Sequence, residues 1–150
     1  MNKPERNSFD LHLIKETKDA GVQLDYSITA FAGSEQFISR VKKKDSRIPH
    51  PDLIKPIGEL RTILAQILHY ENTDFVRIKG LKIGDDQSVT FIGAVMTQSG
   101  EFADVKFPKL KYDKTTYGYE SLLIINLEFI KEEAYKYIFE EKQAQLEADL

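Results

Sequence analysis

The residue types that most often carry out chemistry in proteins are sparse in this sequence. Cysteine is absent, which excludes disulfides, thiolate metal ligands and a cysteine nucleophile. The three histidines form no His-x-x-x-His or Glu-x-x-His pair of the kind that holds a metal ion on a helix. We interpret His12 as a solvent-facing strand residue, His50 as a helix cap or loop residue, and His69 as a cation near a helix end. The sequence therefore predicts no metal site, no cofactor and no catalytic residue.

The glycines argue against nucleotide binding through a phosphate loop. All eight occur singly, and the sequence contains neither Gly-x-Gly-x-x-Gly nor the Gly-Lys-Ser/Thr of a Walker loop. The Gly-x-Ser-x-Gly elbow of serine hydrolases is also absent. The pair Asp85-Asp86 lacks the periodic acidic ligands of an EF-hand, so we interpret it as part of a hairpin loop.

One arrangement resembles the active site of a large family of metal-dependent nucleases. Pro51-Asp52 and Asp104-Val105-Lys106 follow the pattern Pro-Asp…(Asp/Glu)-x-Lys, in which two carboxylates hold Mg²⁺ and the lysine helps to position the attacking water. About fifty residues separate the two halves, and Pro51-Asp52 is expected to begin a helix rather than lie on a strand. Asp52 then supplies a favourable charge to the first helical turn, and Lys106 points outward from a strand.

Charge is distributed unevenly along the chain, although the net charge is only −3. Residues 40–55 carry six basic side chains against two acidic ones, whereas residues 117–150 carry eight acidic side chains against three basic ones. The molecule is therefore polarised along its sequence.

The main candidate for a binding surface combines this positive charge with aromatic rings. In the expected central strands, Val76, Ile78 and Val105 alternate with residues that point away from the helices. We predict that this second face binds single-stranded nucleic acid, because cations follow phosphates and rings stack on bases. The predicted binding residues are Phe75, Arg77, Lys79, Phe102, Lys106, Lys109, Lys111, Tyr112, Arg40, Lys42, Lys43 and Lys44. An uncovered antiparallel sheet face is normally charged, so a solvated or subunit-covered face is the alternative.

The elements that position these residues begin with two alternating segments. Residues 9–13 and 22–32 have a period of two, and the turn composition Lys18-Asp19-Ala20-Gly21 between them predicts a β-hairpin. Residues 37–41 are a candidate third strand, followed by the basic run 42–44.

Residues 51–70 change to the three- and four-residue spacing of an amphipathic helix. Pro51 suits the first helical turn, but Pro56 cannot donate a hydrogen bond to residue 52. The helix therefore either kinks at Pro56 or starts there, and we favour the second possibility.

Three strands and a long helix follow. Residues 76–83 change phase at Gly80, which predicts a β-bulge, and residues 89–97 are apolar on both faces, as in a central strand. Pro108 ends the strand over residues 103–107 or places it at a sheet edge. A helical pattern then runs from about 117 to 145, long enough at 1.5 Å per residue to exceed about 40 Å.

Together these elements predict a single α+β domain over residues 1–150. Its order is β-β-(β)-α-β-β-β-α, which implies an antiparallel sheet of five or six strands with two helices packed on one face. We expect residues 1–7 to be disordered and residues 140–150 to form the projecting end of the C-terminal helix.

Two segments give the chain a resemblance to small uncharacterised proteins of bacteriophage genomes. They are the helix opening His50-Pro51-Asp52-Leu53 and the C-terminal stretch Tyr117-Gly118-Tyr119-Glu120…Glu141-Lys142-Gln143-Ala144-Gln145. The resemblance covers the last hundred residues. It implies an accessory protein of a mobile element and supplies neither an activity nor catalytic residues.

Three hypotheses of function follow from the sequence. The first is a non-enzymatic phage accessory factor that binds single-stranded nucleic acid on the basic face. The second is a protein-interaction or self-assembling module that pairs with itself through the C-terminal helix, and the third is the nuclease-like enzyme. The polar first eight residues and the lack of any apolar run longer than four lead us to expect a soluble, cytoplasmic protein without a membrane partner.

Overall fold

The chain folds into a six-stranded sheet with helices on one face. The computed structural model describes residues 3–112 and 119–144. Along the chain the elements are β1 (Phe9–Glu16), β2 (Val22–Ala32), β3 (Glu35–Asp45), α1 (Pro51–Glu59), α2 (Arg61–Ile67), β4 (Val76–Gly84), β5 (Ser88–Met96), β6 (Phe102–Lys111) and α3 (Glu120–Phe139). Neighbouring strands are antiparallel and lie in the order β3-β2-β1-β4-β5-β6. This confirms the predicted α+β class, with α1 and α2 joined in place of the first expected helix.

The hydrophobic core lies between the sheet and the helices. Ile14, Leu24, Leu81 and Phe91 from four strands are buried together with Ile130 of α3. We call the face that carries these strand residues the inner face, and the opposite one the outer face. Because paired residues of antiparallel strands share a face, the strand register assigns each paired residue to one of them.

The predicted bounds of β2 are confirmed, whereas β1 and β3 are longer than the sequence pattern indicates. β1 continues to Glu16, and β3 spans Glu35–Asp45 rather than residues 37–41. The basic run 42–44 therefore lies within β3 and not after it. Most of β3 is exposed, so it is held by eleven paired positions with β2 and has little burial to produce an alternating pattern.

The first helix starts at Pro51, so the preference for a start at Pro56 is wrong. The Nδ1 atom of His50 accepts a hydrogen bond from the backbone N–H of Asp52 at 3.1 Å, and this cap confirms one of the two roles expected of His50. Pro56 lies inside α1, where it removes a single backbone hydrogen bond. The break between α1 and α2 falls later, at Leu60.

The second half of the sheet contains two irregularities, of which the sequence indicates the one at Gly80. The register between β4 and β5 shifts between Ile78 and Gly80, which confirms the β-bulge. A Cβ atom at position 80 would collide with the backbone of Ile14, so glycine is required there. β6 is an edge strand that continues through Pro108 to Lys111, because a second register shift, opposite Thr90 and Ile92, frees that position from pairing.

The C-terminal helix is shorter than predicted. α3 ends at Phe139, and Glu141 has a positive φ of 55° where the chain turns back. Gln143 then pairs with Pro49, and Lys142 lies 2.8 Å from Asp52. The prediction that the helix continues and projects is therefore wrong for residues 140–144. Residues 117, 118 and 145–150 of that prediction lie outside the described residues.

The start of the chain is ordered against α3, contrary to the prediction of disorder. Lys3 pairs with Glu140 at 2.6 Å, and Arg6 pairs with Glu132 at 2.7 Å. The hydroxyl of Tyr135 donates a hydrogen bond to the carbonyl of Pro4. Residues 1 and 2 of this prediction lie outside the described part of the chain. No helix in that part is long and apolar enough to cross a membrane.

A polar network fastens the end of β3 to α3. The carboxylate of Asp45 accepts hydrogen bonds from the backbone N–H of Arg47 at 3.0 Å and from its Nη2 at 2.7 Å. Arg47 donates in turn to the carbonyl of Tyr137 at 3.0 Å, and the Tyr137 hydroxyl donates back to the carbonyl of Arg47 at 2.7 Å. The Arg47 side chain lowers the pKa of Asp45 to about 2.

A candidate nucleic-acid interface and an adjoining cleft

The outer face of the sheet is crossed by a row of residues that carries three lysines. The strand register aligns, from β3 to β6, the outward residues Lys44, Gln23, Lys15, Gly80, Ile92 and Lys106. Five inter-strand spacings of about 4.8 Å place the first and last of these lysines about 24 Å apart. The row has no acidic side chain, so its charge is +3.

A second row lies beside the first and is also basic. It aligns Lys42, Asp25, Leu13, Lys82, Thr90 and Lys109 in the same strand order. Residues two apart in a strand are separated by about 6.7 Å, so the two rows run side by side at that spacing. Three lysines and one aspartate give this row a charge of +2.

Further cations surround the two rows. Arg40, Arg77 and Lys111 also lie on the outer face by the register of their strands, and Lys79 reaches this face through its contact with Asp104. Against all these cations, the outward carboxylates of the described strands are those of Asp10, Asp25 and Asp104. The outer face is therefore strongly positive in a protein whose net charge is −3.

Some of these cations are already engaged by carboxylates. Arg40 makes a bidentate contact with Asp25 at 2.8 and 2.9 Å, and its hydrogen bond lowers the pKa of that carboxyl group. Lys79 lies 3.1 Å from Asp104. Lys109 lies 2.7 Å from Asp86 of the β4–β5 loop, and this contact lowers the pKa of Asp86 to about 2.

Other cations have no carboxylate within 4.0 Å among the described residues. They are Lys15, Lys42, Lys44, Arg77, Lys82 and Lys106. Five of the six belong to the two rows, and the sixth, Arg77, lies outside them on β4. These side chains are available to an anionic ligand without the rupture of an existing ion pair.

Two aromatic rings accompany the charges on the outer face. The guanidinium of Arg77 stacks 3.9 Å from the ring centroid of Phe102, and this contact joins a cation to a ring. The second ring is that of Phe31 near the tip of the β2–β3 hairpin, which is 70% exposed. The sequence prediction missed Phe31, although its position in the alternating segment 22–32 could have indicated an outward ring.

Three predicted binding residues lie elsewhere. Lys43 points to the inner face, where its Nζ atom lies 6.0 Å from the ring centroid of Tyr26. Tyr112 follows Lys111 and turns inward, where burial and the charge of Glu128 raise its pKa. Phe75 lies in a 3-10 turn (Thr73–Phe75) before β4 and not on a strand. The remaining nine predicted residues lie on the outer face, eight by their strand register and Lys79 by its contact with Asp104.

A cleft opens beside the second row, where the sheet splits. β1 pairs with β4 at only three positions, from Leu13 to Lys15, so its first half diverges from the end of β4. The resulting cavity has a volume of about 540 Å³. Residues of β1, β2 and β3 form one wall, the end of β4 and Tyr112 form the other, and Leu127 and Glu128 of α3 lie at the base.

His12 lies in this cleft, so its interpretation as a solvent-facing residue is wrong. It occupies an irregularity in the β1–β2 register, and its Nε2 atom lies 2.8 Å from the hydroxyl of Ser27. A histidine within hydrogen-bond reach of a serine is also the first part of a nucleophile–base pair. Ser27 is only 5% exposed, which favours a polar binding role over attack on a substrate.

The structure does not assemble the nuclease-like pattern. Asp52 lies at the start of α1, where it pairs with Lys142, whereas Asp104 lies on the outer face of β6, where it pairs with Lys79. The sheet therefore separates the two carboxylates. Within residues 3–112 and 119–144, no group of three or more histidine, aspartate or glutamate side chains is placed to hold a metal ion.

No protein-family model, curated protein or solved structure matches this chain.

Proposed function

We propose that this protein binds single-stranded nucleic acid on the outer face of its sheet. The observation that carries the proposal is the alignment of lysines in two adjacent rows that cross all six strands. Electrostatic contact with phosphates supplies most of the affinity of such surfaces. The resemblance to phage proteins makes an accessory role in phage nucleic-acid metabolism the corresponding biological proposal, with the cytoplasm as its compartment.

A single strand suits this face better than a duplex does. Between the lysines of the two rows lie the half-buried side chains of Leu13 and Ile92. On the same face, Phe102 lies four residues along β6 from Lys106, and Phe31 lies six residues along β2 from Asp25. An unpaired strand has bases that can contact such apolar groups and rings, whereas a duplex keeps its bases stacked inside. The face therefore offers a separate contact for each part of an unpaired nucleotide.

A matched pair of charge reversals tests the proposal. Lys106→Glu changes an exposed lysine of the first row, and Lys55→Glu changes an exposed lysine of α1 on the helix side. Neither lysine has an ion-pair partner in the described residues. At 0.1 M salt, loss of one phosphate contact weakens binding about fivefold, and reversal of the charge weakens it further.

The measurement is fluorescence anisotropy of a labelled oligonucleotide, titrated with each variant. We expect Lys106→Glu to lower the affinity at least fivefold and Lys55→Glu to leave it close to that of the unchanged protein. Equal effects of the two substitutions would show that binding follows net charge and not the outer face, and absence of binding at low salt would refute the proposal.

A second candidate function is self-association through α3, and a separate observation favours it. The side chains of Leu122, Ile125 and Phe129 are exposed and recur at spacings of three and four residues on one side of the helix. An apolar helix stripe of this spacing is typical of a helix–helix interface. We propose a second copy of this chain as the occupant, because the same stripe on an antiparallel α3 is complementary to it.

The test of self-association changes the exposed apolar stripe of α3 and does not truncate the chain. Truncation after Tyr137 removes Phe139, whose ring contacts those of Phe9 and Tyr26, so the truncated chain is expected to lose core packing. Light scattering of Ile125→Lys should instead show a lower mass than the unchanged protein, with the exposed Ile48→Lys as the control. If the unchanged protein, Ile125→Lys and Ile48→Lys are all monomeric, self-association through α3 is refuted.

A further inference from the structure

The cleft at the split between β1 and β4 opens on the outer face beside the second lysine row. His12 and Ser27 line it, and Ser27 is paired with Arg40 of β3. Asp25, two residues before Ser27 on β2, belongs to the second lysine row and accepts two hydrogen bonds from the side chain of Arg40. A nucleic-acid strand bound along the second lysine row therefore passes the mouth of the cleft.

The volume of the cleft is sufficient for a planar group the size of a nucleic-acid base. About 540 Å³ lies within the range of small-molecule sites. The phenol ring of Tyr112 lines one side, and the aliphatic side chains of Ile38 and Ile83 line others. A flat aromatic ligand could stack on the phenol and contact the two isoleucines.

The cleft contains several hydrogen-bond acceptors that carry negative charge. The carboxylates of Asp10, Asp85 and Glu128 all line it. Two cations also line the cleft, but Arg40 is paired with Asp25 at 2.8 Å and Lys131 lies 3.9 Å from Asp10. Asp85 and Glu128 have no cation within 4.0 Å in the described part of the chain. An ionised carboxylate only accepts hydrogen bonds, so a ligand edge that carries N–H donors is favoured and one that carries oxygen acceptors is repelled.

We propose that the cleft receives one unstacked base of the bound strand and prefers a base with an exocyclic amino group. Adenine, cytosine and guanine present such a donor, whereas thymine and uracil have an acceptor oxygen at the corresponding position of the pyrimidine edge. The inference rests on the proposed nucleic-acid binding and adds a base preference to it. The rows bind the phosphates of any sequence, and the cleft discriminates at one position.

The test compares oligonucleotides that differ at a single base. A labelled oligo(dT) with one central dC is measured against oligo(dT) of the same length, and an abasic oligomer of equal charge serves as the phosphate-only probe. Cytosine and thymine are both pyrimidines, so the comparison isolates the amino group. A correctly placed hydrogen bond to a base edge discriminates at least about fivefold, which is the preference for the dC-containing strand that we expect.

The matched variants are Glu128→Gln in the cleft and Glu101→Gln in the β5–β6 turn, both exposed carboxylates. We expect Glu128→Gln to reduce the dC preference without weakening oligo(dT), because it removes a negative charge near the strand. Glu101→Gln should retain the preference. Asp85→Asn is a second cleft variant and is expected to behave as Glu128→Gln does.

The outcomes separate the two proposals. Equal affinity for the dC-containing, all-dT and abasic strands, with no effect of the cleft variants, would overturn the cleft assignment and leave phosphate binding intact. Failure of all three probes to bind at low salt would overturn both proposals together. Tighter binding of the all-dT strand would also refute the amino-group preference.

Discussion

The network of Asp45, Arg47 and Tyr137 predicts a measurable dependence of stability on pH. Its carboxylate is only 13% exposed and is held by the Arg47 guanidinium, which lowers the pKa of Asp45 to about 2 from its ordinary value of 3.8. A pKa that is depressed in the folded state contributes stability above the unfolded pKa, and that contribution is lost as the pH falls through the folded pKa. The difference between a pKa of 3.8 and a pKa of about 2 corresponds to about 2 kcal/mol.

The perturbation is Asp45→Asn, which keeps the size of the side chain and removes its charge. We expect the free energy of unfolding at pH 7 to fall by about 2 kcal/mol, because the half-buried guanidinium of Arg47 loses its charged partner. We also expect the stability of the unchanged protein to decline between about pH 4 and pH 2 more steeply than that of the variant. Urea denaturation followed by circular dichroism at a series of pH values measures both quantities.

The control is Asp19→Asn, a substitution in the exposed β1–β2 turn, where the carboxylate has no ion pair among the described residues. It should leave the free energy of unfolding within about 0.5 kcal/mol of the unchanged value. Parallel stability curves for the unchanged protein and Asp45→Asn across the acid range would refute the reasoning. The network also anchors the end of β3, the strand that carries Lys42 and Lys44 of the proposed binding surface.

Other predictions test the packing of the sheet and the use of its rings. A Cβ at Gly93 would collide with the backbone of Arg77 on the neighbouring strand, so Gly93→Ala should lower the free energy of unfolding by about 1–3 kcal/mol in urea denaturation. Gly58→Ala is its control: no atom lies within 4 Å of the added methyl group in α1, and a small gain of about 0.5–1 kcal/mol is expected. Phe31→Ala should weaken oligonucleotide binding by about 1–3 kcal/mol if a base stacks on the ring, with little change for an abasic strand in the same anisotropy assay. Equal losses for both strands would instead assign Phe31 a structural role.

Local patterns in the sequence predict most of the sheet and one of its irregularities. The alternation over residues 22–32 gives the bounds of β2, and the change of phase at Gly80 gives the bulge, because both depend on side-chain periodicity. β3 lacks such a pattern, since most of its residues are exposed on both faces and pairing with β2 is what extends it to Asp45.

The errors at the helix ends have tertiary causes. α3 stops at Phe139 because the following residues pair with the segment before α1, and a helical composition alone cannot reveal this contact. α1 begins at Pro51 because the side chain of His50 supplies a cap, which offsets the cost of Pro56 within the helix.

The candidate interface was predictable in part for the same reasons. Outward positions on β4 and β6 follow from alternation, but the inward turn of Tyr112 depends on the register shift near Pro108. The cleft depends on where β1 leaves β4, which is a contact between residues far apart in sequence. The position of His12 inside it could not be derived from a local pattern.

The salt dependence of oligonucleotide binding tests the central claim most directly. For a single strand, the logarithm of the binding constant falls with the logarithm of the salt concentration with a slope of about −0.7 for each neutralised phosphate. Replacement of Lys15, Lys44 and Lys106 by alanine removes the three charges of the first row and should make the slope less steep by about 2. An unchanged slope in a folded triple variant would contradict the assignment of the outer face as the binding surface.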